Sequence, residues 1–288
     1  MGDYPAEVEV VGVIGLGTMG RGIAKVCLAS GVKVIALEID EGTAKQSALK
    51  ITQDLNNRVD KGKISKSVMR KMLSRLIVVE GLKEFSKTKF IIEAINEDAK
   101  MKTRLYKDLQ KHISPDTILC SNTSSLEISV IGRSVREPKR FAGMHFFNPA
   151  DVMKLVEVVK GKETSAETVA AVSAFARHLG KIPITVPDIP GFYVNRILFP
   201  MIVEGIRIKE TTNGPSKDID ESMKLGAGLP MGPLELSDMI GNDVVLYICE
   251  TLLRRTQDQK FAPPELLKRM VLDGKLGRKK MVGFHKYE

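Results

Sequence analysis

The sequence predicts an α/β chain: a doubly wound, mostly parallel sheet followed by a smaller all-helical domain. Three observations carry this. Residues 8–14 are a short β-branched run closed by glycine, and the turn Gly15-Leu16-Gly17-Thr18-Met19-Gly20 leads from that run into a helical pattern. Strand-like and helix-like segments then alternate to about residue 189, beyond which only helical patterns remain.

Taken in order, residues 8–14 read as a buried parallel strand, residues 19–29 as a helix stopped by Gly31, and residues 32–37 as a second strand. Strand, glycine turn, helix and strand make a complete βαβ unit. Residues 41–75 are charged and periodic, interrupted by Lys61-Gly62-Lys63, and predict two exposed helices forming an excursion from the sheet. Alternation resumes with strands at 76–79 and 90–95, a helix at 99–112 and a strand at 117–119. Further strands are expected near 141–144, 154–159 and 182–186, with a helix at 166–179. Pro183, Pro187, Pro190 and Gly191 mark a linker or sharp turn, so the domains are expected at 1–189 and 190–288. The second should hold helices at 193–211, 216–225, 234–255 and 265–273.

Composition excludes several classes. A content of 43% hydrophobic and 27% charged residues is that of a globular protein, without the run of ~20 apolar residues a membrane span needs. The opening residues lead almost at once into the first strand, so no signal or transit peptide is expected, and Ala6 stands where a myristoylation motif needs serine or threonine. The C-terminal Lys286-Tyr287-Glu288 is no organelle address, and the expected compartment is the cytoplasm, with a mature mitochondrial matrix form as the alternative. Cys27, Cys120 and Cys249 lie far apart in apolar segments, as buried thiols do in a reducing compartment. His112, His145, His178 and His285 have no ligand spacing, so no metal is expected. The net charge of +9 comes without any nucleic-acid module signature; a highly phosphorylated small ligand or solubility accounts for it equally well.

Gly15, Gly17 and Gly20 form G-x-G-x-x-G between a strand and a helix, the context in which that motif holds a dinucleotide. Gly15 permits the tight turn, Gly17 lets a pyrophosphate approach the backbone, and Gly20 lets helix and strand pack closely. The amides at the helix start would hold the phosphates. A simple tight turn is the alternative for the glycines alone. Glu38, at the end of the second strand, can accept hydrogen bonds from the adenosine ribose, and its charge would repel a 2′-phosphate. The cofactor expected is therefore NAD rather than NADP, in a Rossmann-type domain. Asp40 competes for the ribose, or caps the next helix.

Ser124, His145 and Glu157 each lie at or near a strand of the sheet, and open parallel sheets bind ligands beyond the carboxyl ends of their strands. Oxidising an alcohol requires a base for the hydroxyl proton, and histidine is suited to that near neutrality. A carboxylate on its other nitrogen would fix the tautomer. On the residues alone, a structural histidine, a solvated carboxylate and a helix cap explain the same three positions.

Over nearly its whole length the chain resembles the L-3-hydroxyacyl-CoA dehydrogenase family, in particular its short, free-standing 3-hydroxybutyryl-CoA type. The motifs are Gly15–Gly22, Ile92-Glu93-Ala94-Ile95, Asn122–Leu126, His145–Pro149, Met153–Glu157, Pro190-Gly191-Phe192-Tyr193-Val194-Asn195-Arg196 and Pro230-Met231-Gly232-Pro233. The resemblance implies oxidation of a 3-hydroxyacyl-CoA in fatty acid metabolism, with His145 as base and Glu157 as its orienting partner. It implies that Ser124 and Asn195 hydrogen-bond the substrate's reacting or thioester oxygen, in a cleft between the domains. It places Leu16, Thr18, Met19 and Ala94 with the glycines at the cofactor, and Glu97, Lys102, Asn122 and Asn148 along its nicotinamide half. Lys279 matches a late cofactor-proximal lysine, and Lys61 a basic position near the coenzyme A tail. A homodimer through the helical domain is implied as well, with no nucleic-acid or membrane partner. Asp151 departs from the family's usual proline, and the segment 277–285 lacks the usual threonine-glycine after its lysine and the usual tyrosine after Phe284.

Three other readings compete with this one. The β-hydroxyacid dehydrogenases share the first glycine turn but need a lysine in a glycine-spaced helix, and Gly226-Ala227-Gly228 runs into Leu229-Pro230 instead. A gulonate-type sugar-acid dehydrogenase would use the same histidine and glutamate, though the segment 153–157 favours the acyl-CoA branch. A non-enzymatic NAD-binding structural protein would not need Ser124, His145, Glu157 and Asn195 together.

Overall fold

The computed structural model describes residues 8–38 and 41–288, which form two compact units, Met1–Ile189 and Pro190–Glu288. Asp40 and residues 1–7 lie outside the described residues.

The first unit is built on one eight-stranded sheet. Its strands are β1 (Val10–Ile14), β2 (Lys33–Leu37), β3 (Leu76–Val79), β4 (Phe90–Glu93), β5 (Ile118–Ser121), β6 (Phe141–Phe146), β7 (Leu155–Lys160) and β8 (Ile182–Pro187). They lie in the order β3-β2-β1-β4-β5-β6-β7-β8. All neighbours are parallel except β6 and β7. The chain winds outward from β1 through β2 to β3, then returns to the other side of β1 with β4. That reversal opens a crevice beyond the carboxyl ends of β1 and β4. Val11, Val13, Ile91, Ile92, Val156 and Val158 are wholly buried, as expected of strands covered on both faces.

Among the described residues six helices belong to this unit: α1 (Thr18–Ala29), α2 (Glu41–Asp60), α3 (Lys66–Leu73), α4 (Ala99–Leu109), α5 (Ile128–Gly132) and α6 (Ala166–His178). The 41–75 segment is less of an excursion than its charge suggests. Ala44, Ser47, Ile51 and Leu55 are buried at helical spacing, and Ile51 and Leu55 join the core that also holds Ile23 and Cys27 of α1. Burying each such side chain stabilises the fold by about 1.5–3 kcal/mol. Lys25 and Asp54, 2.5 Å apart, fasten the same two helices.

The second unit consists of α7 (Val194–Thr212), α8 (Ser216–Ala227), α9 (Pro233–Ile240), α10 (Asn242–Thr256) and α11 (Glu265–Leu272). Phe199, Ile202, Val203, Ile206, Leu234, Val245, Leu252, Phe261 and Leu267 form its core. The single helix expected over 234–255 is two helices. The break is at Gly241, whose φ of +104° lies outside the helical region and is strained for any side chain. No helix among the described residues is long and apolar enough to cross a membrane.

Residues 277–287, where the sequence departs from its family, fold back onto two buried acids. Asp238 accepts from the backbone N–H groups of Phe284 and His285, the Tyr287 hydroxyl and the Asn242 side-chain amide, at 2.9–3.0 Å. Asp220 accepts from Leu234 N (2.8 Å) and Glu235 N (3.1 Å), so capping α9, and pairs with His285 Nε2 at 2.6 Å. His285, in place of the usual tyrosine, thus finds a carboxylate partner. Replacing Asp238 by alanine would leave several buried donors unpaired. The second unit is expected to lose about 2–4 kcal/mol of stability, read from the urea midpoint followed by far-ultraviolet circular dichroism.

Candidate active site

The glycine turn joins β1 to α1, and its three glycines meet different surroundings. Gly15 has φ +93°, and a Cβ there would lie 2.7 Å from the Ala94 carbonyl oxygen at the end of β4. A Cβ at Gly20 would fall on the Gly15 carbonyl. A Cβ at Gly17 would meet nothing within 4 Å. Gly17 therefore faces open space at the N-terminus of α1, which has neither a side-chain cap nor an acidic residue in its first turn. Uncapped amides at the positive end of a helix dipole fit a diphosphate. Glu38 lies where β2 ends, and its Oε2 accepts from Leu16 N at 2.7 Å. Ser47 on α2 and Arg21 on α1 both donate to the Leu16 carbonyl, at 3.0 and 2.9 Å. The turn is thus held from three elements, and Thr18 and Met19 open the helix.

At the carboxyl end of β5, Asn122 N donates to the Glu93 carbonyl (2.8 Å), and Asn122 Oδ1 accepts from Phe146 N (2.8 Å) at the end of β6. The chain then turns through Thr123, Ser124 and Ser125 around one carboxylate. Glu97 Oε1 accepts from Thr123 Oγ1 (2.6 Å), Ser124 N (2.9 Å), Ser125 N (2.8 Å) and Ser125 Oγ (3.0 Å), with Ser124 Oγ at 3.5 Å. Burial pushes the Glu97 acid up, but the Lys102 ammonium and these hydrogen bonds outweigh it and hold the group below the usual glutamate value.

His145 and Glu157 lie directly opposite each other in the antiparallel β6–β7 pair, and Nδ1 of the imidazole is 2.9 Å from Glu157 Oε2. Both are buried, at 5% and 1% exposure. The imidazole packs against the Phe147 ring, centroids 4.5 Å apart. Asn148 follows, joined to Pro149 by a cis peptide bond. Behind this loop, the buried Lys181 donates to the carbonyls of Ala150 (2.6 Å) and Met153 (2.8 Å). Asp151, where the family has proline, pairs with Arg58 of α2 at 3.6 Å.

Gly15–Gly20, Glu38, Ala94, Glu97, Asn122, Ser124, His145 and Asn148 therefore line the carboxyl ends of neighbouring strands in the first unit, with Glu157 facing His145 from β7. Lys102 sits among them, 1% exposed. Lys61 is exposed in the turn after α2. Asn195 and Lys279 belong to the second unit. Asn195 is buried in the first turn of α7, and Lys279 holds the Asp243 carboxylate at 2.5 and 2.6 Å. Glu93 was missed as the partner of Lys102, and Tyr106 and Ser121 as donors to Glu93. An acid within an otherwise apolar strand, Phe90-Ile91-Ile92-Glu93, was the available signal. Asp188 was missed too. Its two oxygens accept from Ile128 N and Ser129 N, capping the helix after the serine loop.

Residues 10–189 match the model of the 3-hydroxyacyl-CoA dehydrogenase NAD-binding domain, and residues 191–287 that of the 3-hydroxyacyl-CoA dehydrogenase C-terminal domain. The chain belongs to the 3-hydroxyacyl-CoA dehydrogenase family. This dehydrogenase is 41% identical to 3-hydroxybutyryl-CoA dehydrogenase of Clostridioides difficile, over 96% of the chain and 98% of that protein. It is 39% identical to human mitochondrial hydroxyacyl-coenzyme A dehydrogenase, over 98% of the chain and 92% of that protein. The crystal structure of (S)-3-hydroxybutyryl-CoA dehydrogenase from Ralstonia eutropha superposes with a TM-score of 0.92 at 38% identity, covering 98% of this chain and 100% of that one. As a family member the chain is an NAD-dependent oxidoreductase, and the open space above Gly17 agrees with that cofactor.

Because Glu97 is more acidic folded than unfolded, its contribution to stability is complete above the ordinary glutamate pKa and is lost as pH falls through its depressed value. The stability gap between the unaltered chain and Glu97→Gln should therefore narrow as pH falls below the ordinary glutamate value, measured as urea midpoints. A constant gap would contradict the assignment.

Proposed function

We propose that this dehydrogenase interconverts an L-3-hydroxyacyl-CoA and its 3-ketoacyl-CoA, with the four-carbon 3-hydroxybutyryl thioester as preferred substrate. The observation that carries the reading is the buried His145–Glu157 pair, set face to face by strand register. In the oxidative direction His145 takes the C3 hydroxyl proton through Nε2. Glu157, bonded to Nδ1, fixes the tautomer and stabilises the imidazolium that forms. NAD supplies the acceptor for the C3 hydride. The Ser124 hydroxyl donates to the oxygen on which charge changes, with Asn195 of the second unit as the partner donor.

Glu38 is assigned to the adenosine ribose and Glu97, Lys102, Asn122 and Asn148 to the nicotinamide half. Lys61 is assigned to the coenzyme A tail and Lys279 to the cofactor's neighbourhood. The C4 preference rests on the names of the bacterial relatives. A homodimer through the helical unit is part of the reading, supported by apolar side chains exposed there, Ile197 at 73% and Leu225 at 83%. Sedimentation at micromolar concentration should give twice the chain mass. The proposed compartment is the cytoplasm, consistent with three buried free thiols.

Initial rates with NADH over C4 to C16 3-ketoacyl-CoA substrates should be highest, as kcat/KM, at C4. Faster turnover of gulonate or hydroxyisobutyrate would overturn the reading. His145→Ala is expected to lower kcat by about 10²–10⁴-fold while NADH affinity changes by less than about threefold. Glu38→Ala should weaken NAD binding by about tenfold in calorimetric titration and leave acyl-CoA affinity nearly unchanged. Equal kcat/KM with NADPH and NADH in the unaltered chain would remove the ribose role of Glu38.

A further inference from the structure

Glu93 takes no part in these steps, yet its carboxylate is wholly buried at the carboxyl end of β4 and fully engaged. Its Oε1 accepts from Ile95 N at 2.7 Å and from Lys102 Nζ at 2.5 Å. Its Oε2 accepts from Ser121 Oγ at 2.7 Å and from Tyr106 OH at 3.2 Å. Lys102 in turn lies 3.5 Å from Glu97 Oε2. One buried ammonium is thus shared by two carboxylates, and no other charged side chain pairs with the three among the described residues. With all three ionised the cluster carries one net negative charge at the end of β4.

The strand order says where that charge acts. A dinucleotide held at the start of α1, with its ribose toward Glu38 on β2, must run its other half across the ends of β4 and β5. The nicotinamide ring is a cation when oxidised and neutral when reduced, so a nearby fixed charge distinguishes the two forms. Were Glu93 neutral, Lys102 would cancel Glu97 and the distinction would vanish.

We propose that Glu93 is a positioning residue that, by engaging Lys102, keeps the Glu97 end of the cluster negative and so biases the site toward oxidised NAD over NADH. The proposal rests on the reading above that this edge receives the nicotinamide half. It goes beyond that reading in assigning the balance between redox forms to a side chain remote from the ring.

Glu93→Gln tests it with little other change. The amide oxygen can take the place of Oε1 and still accept from Ile95 N and Lys102. The amide nitrogen then faces two hydroxyls, Ser121 and Tyr106, which can turn to accept. Binding of NAD and NADH to the full chain is measured by calorimetry, with circular dichroism to check folding. The expected result is a Kd for NAD raised about tenfold and a Kd for NADH changed by less than about threefold. Glu93→Asp, which keeps the charge, should preserve the ratio of the two constants. A purely structural role would weaken both forms alike, and an unchanged ratio in Glu93→Gln overturns the proposal. Should that variant not fold, Glu97→Gln removes the same charge from the other end, and an unchanged ratio there is equally decisive. Normal turnover of acetoacetyl-CoA by the unaltered chain with an unchanged ratio in the variant counts against Glu93 alone. Failure of the unaltered chain to bind either nucleotide overturns both readings.

Discussion

The antiparallel pairing of β6 against β7 places His145 opposite Glu157, and the chemistry of the first unit depends on that register. Side chains alternate faces along a strand, so a slip of one residue would turn Glu157 away from the imidazole. The slip is resisted on both sides. Phe146 is tied to Asn122 at the β5 end, and Lys181 grips two carbonyls of the loop that reverses the chain. Helix α6 then returns the chain so that β8 runs parallel to β7, pairing along the strand's full length. A hydrogen bond of 2.9 Å between two side chains is in this sense made by strands, a loop and a crossover helix together.

Acids that are buried or half-buried recur wherever the backbone must be held in an irregular path. Glu38 holds the Leu16 amide, Glu97 gathers the serine loop, Asp188 caps the helix beyond it, and Asp238 secures the segment after α11. Each charge would be costly to bury alone, and each is offset by donors that themselves lacked partners. Glu93 differs because it answers to another side chain. Its partner Lys102 links it to Glu97, so a carboxylate well inside the sheet is electrically connected to the edge where ligands bind.

The fold class was legible because parallel strands buried on both faces leave apolar runs and glycines mark their ends. Strand order was not, because alternation gives the succession of elements and not which strands lie side by side. The edges of elements were less legible. In 234–255 the stop signal was Gly241, and its positive φ is where the helix breaks. The burial of α2 was hidden by its charged outer face, since Ala44, Ser47, Ile51 and Leu55 make only a thin inward stripe among its described side chains. At the site, His145 and Glu157 could be named from sequence but not paired by it, because register is a long-range property. The Glu93 cluster was invisible for a different reason. It joins residues of β4, α4 and β5, separated by up to 28 positions, and no local pattern announces such a meeting.

The glycine turn shows how two residues of one kind can be constrained from opposite directions. Gly20 abuts the Gly15 carbonyl, so every other amino acid is too large by at least one carbon. Gly17 faces open space, and the protein's own packing would admit alanine there without protest. Any pressure to keep Gly17 comes from what occupies that space. A copy of this sequence released from its ligand would thus be free to drift at Gly17 while remaining frozen at Gly20. Comparing substitutions at the two positions across descendants would separate chains that still bind a dinucleotide from those that only keep its fold.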